Sequence, residues 1–213
     1  MAAGPVVNDL YQAHEDNFIP IYYHLGGEGG SGLASSRANF YQLQYTPYMW
    51  FNGSDDAGYE YEDWNEDFFA HEQQETDVTI KVLAVAEAPM LRVSAEVCIE
   101  DQGVARDMRI HFAQVLDNFP DSPTYYRFAG RQGQTRDVTV EAGQCLDVTT
   151  TMVMPSLDEE RPEDFAMVVW AQEPLPTAPA EIFQVAIGNL RTVIPSGSMD
   201  DQEIQEPNED QDW

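Results

Sequence analysis

From Thr76 onward, apolar and polar residues alternate. Leu91, Val93, Ala95, Val97 and Ile99 interleave with Arg92, Ser94, Glu96, Cys98 and Glu100. A period of two marks a strand with one face buried. Val78, Ile80, Val82 and Val85 begin the series. Met108–Leu116, Arg136–Val140, Cys145–Met154, Phe165–Gln172 and Ala180–Asn189 continue it. Roughly six to eight short strands separated by Gly, Pro and Asp turns predict an antiparallel, immunoglobulin-like β-sandwich over residues 76–195. Pro174–Pro179 is placed as a surface loop between the last two strands.

Before Thr76 the pattern is mixed. Val6, Val7, Leu10 and Tyr11 have helical spacing, with Pro5 suited to a first turn, which predicts a helix over residues 5–15. Phe18–His24 (FIPIYYH) is a short apolar run of strand type, followed by a glycine-rich loop over Gly26–Gly32. A second helix is expected over residues 33–42. A strand is expected over Tyr45–Gly53, with Pro47 near its start and a turn at Asn52-Gly53. A loop and then a helix over about Glu62–Gln74 close this part. Helix, strand, helix, strand is α/β organisation. The predicted class is α+β, with units at 1–75 and 76–195. Residues 196–213 are almost wholly polar and acidic, cannot offset their ordering entropy by burial, and are expected to be disordered.

Charge narrows the function classes. There are 38 Asp and Glu against 10 Lys and Arg, a net charge of -28, and Lys81 is the only lysine. No basic stripe exists for nucleic acid or for an anionic lipid surface. The acidity fits a surface kept soluble by self-repulsion, or a high-salt environment that screens it. Divalent cations are a third partner for so many carboxylates, although dispersed acids show no ligand spacing. No apolar run of about 18 residues is present for a membrane helix. The first residues lack a basic region followed by an apolar stretch, so no signal peptide is read there.

With these elements assembled, FIPIYYH followed by RANFYQLQYTPYMWFNG resembles the thioredoxin superfamily. There, a threonine or similar residue precedes a cis-proline at the start of a central strand, and Thr46-Pro47 stands in that position. MRIHFAQVLDNFP, TYYRFAG, VTVEAGQCLDVTTTMVM and MVVWAQEPLPTAPAEIFQVA resemble the β-sandwich of the 28-kDa outer-membrane protein family of bacterial surface proteins. The resemblance covers about residues 5–190 and rests on order and character. It implies a cis bond at Thr46-Pro47; in an active relative that proline faces the thiols and lines a peptide groove, whereas here its expected role is architectural. It also implies a strand and a CxxC ahead of the first helix, where the helix dipole would lower a thiol pKa. The chain shows neither. Two explanations follow: a degenerate domain, or a longer protein whose CxxC lies upstream.

Cys98 and Cys145 are the only cysteines. Both lie on the polar phase of alternating strands, where antiparallel neighbours would meet. They are either a cross-strand disulfide, which favours an oxidising compartment, or two separate thiols. No HxH or HExxH joins His14, His24, His71 and His111, so structural or solvent-facing roles outweigh metal binding. The glycine loop lacks a GK[ST] ending, and Glu28 opposes phosphate. Trp64, Phe68 and Phe69 have the spacing of a core-facing helical side. Asn52-Gly53-Ser54 matches a glycosylation sequon and, better, a hairpin turn.

Three functions are weighed. The first is a non-catalytic secreted or cell-surface binding or structural protein, without cofactor, whose unknown protein or surface partner meets the loops at Asn118–Thr124 and Pro174–Pro179. The second is a thiol-disulfide oxidoreductase relative with its CxxC upstream. The third, a hydrolase using paired carboxylates, has no pairing to support it. An extracytoplasmic location follows from the first.

Overall fold

The computed structural model describes residues 3–25, 31–61, 63–71, 74–87, 89–117, 127–153 and 165–192. The acidic tail and the loop expected at Asn118–Thr124 lie outside them, as does most of the glycine loop. Seven strands form one sheet: β3 (Val78–Glu87), β4 (Met90–Ile99), β5 (Arg106–Leu116), β6 (Ala129–Val140), β7 (Cys145–Val153), β8 (Phe165–Gln172) and β9 (Ile182–Thr192). Their order is β6-β5-β8-β9-β3-β4-β7. The sheet folds over, so that β6 and β7, at opposite ends of that order, meet. Arg136 Nη2 of β6 donates to Thr150 Oγ1 of β7 at 3.2 Å. The layers enclose Leu91, Val93, Val97, Ile110, Phe112 and Met167, with their neighbours.

Alternation explains β4, whose Leu91, Val93, Ala95, Val97 and Ile99 are all buried. β8 departs from it because every residue of FAMVVWAQ is buried. Met167, Val169 and Ala171 face between the layers. Ala166, Val168 and Trp170 face the other way, into a cluster with Tyr11, Ile19, Ile21 and Leu33. A strand covered on both faces has no polar phase.

That cover is the N-terminal part of the chain. It contains α1 (Ala3–Ala13), α2 (Gly32–Phe40), β1 (Met49–Phe51), β2 (Asp55–Gly58) and α3 (Trp64–His71). Ser31 caps α2 by accepting from the Ala34 N–H at 3.1 Å. Its hydroxyl also donates to the Gly130 carbonyl of β6 at 3.0 Å. Val7, Leu10, Phe18, Phe51, Trp64 and Phe68 form a separate small core. Among the described residues the protein is a β-rich α+β fold.

Four expectations are corrected. Phe18–His24 is not a strand of a sheet: it makes one parallel bridge, Tyr22 to Ala129, because Pro20 cannot donate to a ladder. The segment expected to be a loop after residue 53 contains β2, paired antiparallel with β1. The sandwich is not wholly antiparallel, because β3 runs parallel to β9 through Ala84, Val85 and Ala86. β6 starts at Ala129 rather than Arg136. Its first half carries Gly130 and Gly133, where α2 comes close: a Cβ on Gly133 would sit 2.7 Å from Leu33 Cδ1.

Candidate functional site

The N-terminal part is fastened to the β layers at several places, and three of them border a groove. Tyr22 bonds to β6, its N–H donating to the Phe128 carbonyl at 3.2 Å and its carbonyl accepting from the Gly130 N–H at 2.8 Å. The turn after β1 bonds to the start of β9: Ala180 N–H donates to Gly53 O at 3.0 Å and Ile182 N–H to Asn52 O at 2.7 Å. Asn52 (φ 46°) and Gly53 (φ 71°) are both left-handed. That is the type I′ hairpin geometry favoured by Asn-Gly.

The third fastening is Arg37 of α2, which is 4% exposed. Its Nη1 and Nη2 donate to Gln172 Oε1 at 3.3 Å, and Nη2 donates to the Tyr41 hydroxyl at 2.6 Å. The guanidinium lies 4.3 Å from the Phe40 ring centroid and 4.7 Å from that of Tyr41, where the ring quadrupoles favour a cation. Arg37 raised no functional expectation from sequence. Its signal was a basic residue set among aromatics in a chain with few bases.

The groove has a volume of about 880 Å³ and runs between residues 16–25, β1, α3 and the start of β9. Tyr23, Tyr41, Trp50, Trp64 and Phe68 line it. Thr46 and Pro47 line it as well, both exposed, and the peptide bond between them is cis. His71 Nε2 lies 2.7 Å from Asp55 Oδ2 at one side. Burial raises the Tyr23 hydroxyl pKa, with Arg37 opposing. Burial lowers that of His24, helped by the charge on Arg131. In the aromatic-acidic stretch, Trp64 and Phe68 are core residues, whereas Phe69 is 57% exposed.

A second cavity, of about 500 Å³, lies between α2, the outer face of β5, β6 and β8, and the loop at 173–176. His111 stacks flat on Trp170 there, at 4.6 Å between ring centroids and 1° between planes. Burial first, then the charges on Arg37 and Arg109, push its pKa down to about 3, against a weaker pull upward from Asp137. Arg109 grips Asp137 with two bonds, at 2.7 and 2.8 Å. It also donates to the carbonyl of Leu175 at 3.3 Å, within the loop expected at Pro174–Pro179.

Cys98 and Cys145 are directly opposite on β4 and β7 and form a disulfide of S–S length 2.05 Å. They belong to the layer away from the groove. Among the described residues, no group of three or more His, Cys, Asp or Glu is placed to hold a metal ion. No described helix is long and apolar enough to cross a membrane.

No protein-family model matches this sequence, and no curated protein matches it. Solved structures do match the fold. HBP35 of Porphyromonas gingivalis aligns with a TM-score of 0.56 at 10% identity, covering 82% of this chain and 62% of that one. Protein AGR_C_4864 from Agrobacterium tumefaciens aligns with a TM-score of 0.54 at 15% identity, covering 88% of this chain and 86% of that one. A domain of the outer membrane lipoprotein Omp28 from Porphyromonas gingivalis aligns with a TM-score of 0.37 at 10% identity, over 56% of this chain and 92% of that one. The first two show a shared fold; the third overlap is too weak to add to it.

Proposed function

We propose that this chain is a non-catalytic binding protein working outside the cytoplasm, with a thioredoxin-like front on an immunoglobulin-like sandwich. The observation that carries this is the aromatic groove at their junction, within the usual range of ligand pockets, about 300–1,000 Å³. The order of α2, the cis Thr46–Pro47 bond, the β1–β2 hairpin and α3 supports the thioredoxin-like front. The layers β3-β4-β7 and β6-β5-β8-β9 support the immunoglobulin-like order. The division into units at residues 1–75 and 76–195 belongs to the same proposal.

Both cysteines of the chain are joined in the far layer, which leaves Pro47 without a thiol from this chain. A disulfide persists in oxidising compartments.

Titration with the neutral apolar dye Nile red tests the groove. Saturable binding of one dye per chain is expected, weakened at least about tenfold by Tyr41→Ala and Trp50→Ala and unchanged by the paired replacement Cys98→Ser and Cys145→Ser. Absence of saturable binding, or binding indifferent to both groove variants, would overturn the assignment.

A further inference from the structure

We propose that the cavity between α2 and the β layers is a second binding site, for a small organic carboxylate with a flat apolar body. Arg37 is its charge partner and His111 its hydrogen-bond donor. This site is separate from the groove and does not rest on the groove being one.

An unbalanced charge points to an anion. Arg37 is 4% exposed and lines the cavity. Its polar neighbours are Gln172 and the hydroxyls of Tyr23 and Tyr41, all neutral. Among the described residues it meets no carboxylate, in a chain with 38 acidic residues against 10 basic ones. A buried cation without an anion is costly, and the faces of Phe40, Tyr41 and Trp170 offset only part of that cost. Arg109, the other cation of the cavity, already has Asp137. Glu173, the one acid lining the cavity, accepts from the Glu181 N–H at 3.2 Å. Arg37 is therefore the charge left to meet.

His111 supplies a donor beside that charge. It is 7% exposed and lines the cavity. Its ring nitrogens make no hydrogen bond with a described residue, yet neither is closed off from solvent. A neutral imidazole has one N–H, and whichever nitrogen carries it can donate. His111 and Arg37 share Trp170 as a platform, at 4.6 and 5.6 Å from its ring. Arg37 and Arg109 act on His111 more strongly than Asp137 does, so the potential there is positive.

The remaining lining sets the rest of the ligand. Leu33, Phe40, Phe112, Leu175 and Pro176 are apolar, which suits a hydrocarbon body and not inorganic phosphate. The volume of about 500 Å³ lies within the usual range for small ligands, about 300–1,000 Å³. Arg37 also borders the groove, but Asp16, Glu75 and Glu181 there repel an anion.

The test titrates cinnamate into the whole chain near neutral pH, by calorimetry and by the imidazole resonance of His111. Its neutral isostere cinnamamide and inorganic phosphate run beside it. One cinnamate per chain, a shift of the His111 resonance, at least about tenfold weaker binding of cinnamamide and no displacement by phosphate are expected. His111→Phe, which keeps a ring against Trp170, should weaken cinnamate at least about tenfold. Ser36→Trp, at an exposed position of α2 on the cavity wall, should abolish binding while keeping the urea midpoint. No saturable binding, binding without a His111 shift, equal binding of cinnamamide, displacement by phosphate, or indifference to either variant would overturn the proposal. If His111→Phe does not fold, Ser36→Trp and the cinnamamide comparison decide alone.

Discussion

His111 provides a test of the packing between α2 and the β layers, read through pH. Its imidazole is 7% exposed, lies flat on Trp170, and has a folded pKa of about 3 against an ordinary 6.5. The unfolded chain therefore takes up a proton below about pH 6.5 that the folded chain refuses. A depressed histidine pKa makes its contribution fully present above the unfolded pKa and progressively lost as pH falls. At pH 5 the gap is about 1.5 pH units at about 1.4 kcal/mol each, or about 2 kcal/mol. Urea unfolding of the native chain and of His111→Phe at pH 8 and pH 5 measures it. Phe keeps a ring against Trp170 and removes the proton site. Protonation of the many carboxylates alters repulsion in both chains, so subtraction cancels most of that change. The native chain should lose about 2 kcal/mol more than the variant between the two pH values. Equal losses, or an imidazole resonance in the folded protein titrating near pH 6.5, would refute the burial of a neutral His111 between Arg37, Arg109 and Trp170.

Three further substitutions probe other parts. Ile110→Ala, at a site with no exposure between the layers, should cost about 2–5 kcal/mol in urea unfolding; a cost below about 1 kcal/mol would place Ile110 outside the core. Gly53→Ala should cost about 1–3 kcal/mol, because the residue sits at φ +71° and its new Cβ would lie 2.6 Å from Gln172 Nε2; unchanged stability would mean the turn is not docked on β8 and β9. Replacing both cysteines with Ala releases a link between residues 47 positions apart, worth about 4 kcal/mol in the chain-entropy model; an unchanged unfolding midpoint would count against the bridge.

The sequence exposed strands where one face alone is covered. Leu91 to Ile99 alternates because β4 has a single buried face, and the same logic located β7. It failed where neighbours rather than patterning impose the structure. Asp55, Asp56 and Gly58 of β2 are poor strand formers, and the Asn52-Gly53 turn brings them beside β1. Gly130 and Gly133 hid the first half of β6 because the close approach of Leu33 requires small residues there. FIPIYYH has strand-like composition, yet Pro20 limits it to one bridge. The parallel contact of β3 with β9 joins residues about a hundred positions apart, and no local signal announces it.

The site was legible to a similar degree. Thr46, Pro47, Cys98 and Cys145 stood out from their local context. The aromatic run at Tyr59–Phe69 reads as one core-facing helical side, which holds for Trp64 and Phe68 and fails for Phe69. The groove itself could not be foreseen, because its walls come from distant segments that meet only when Arg37 reaches Gln172 and the hairpin turn reaches β9. His111 and Arg109 of β5 meet Trp170 of β8 because His111 and Trp170 are register partners in the paired strands.

The most direct measurement on the central claim is a thiol count on protein taken from its native source, with free thiols alkylated in acid at the moment of lysis. A binding protein working in an oxidising compartment should show no alkylated cysteine before reduction, and Cys98 and Cys145 both alkylated after it. Two alkylated cysteines before reduction would contradict the extracytoplasmic assignment and the bridged, non-catalytic role proposed for them.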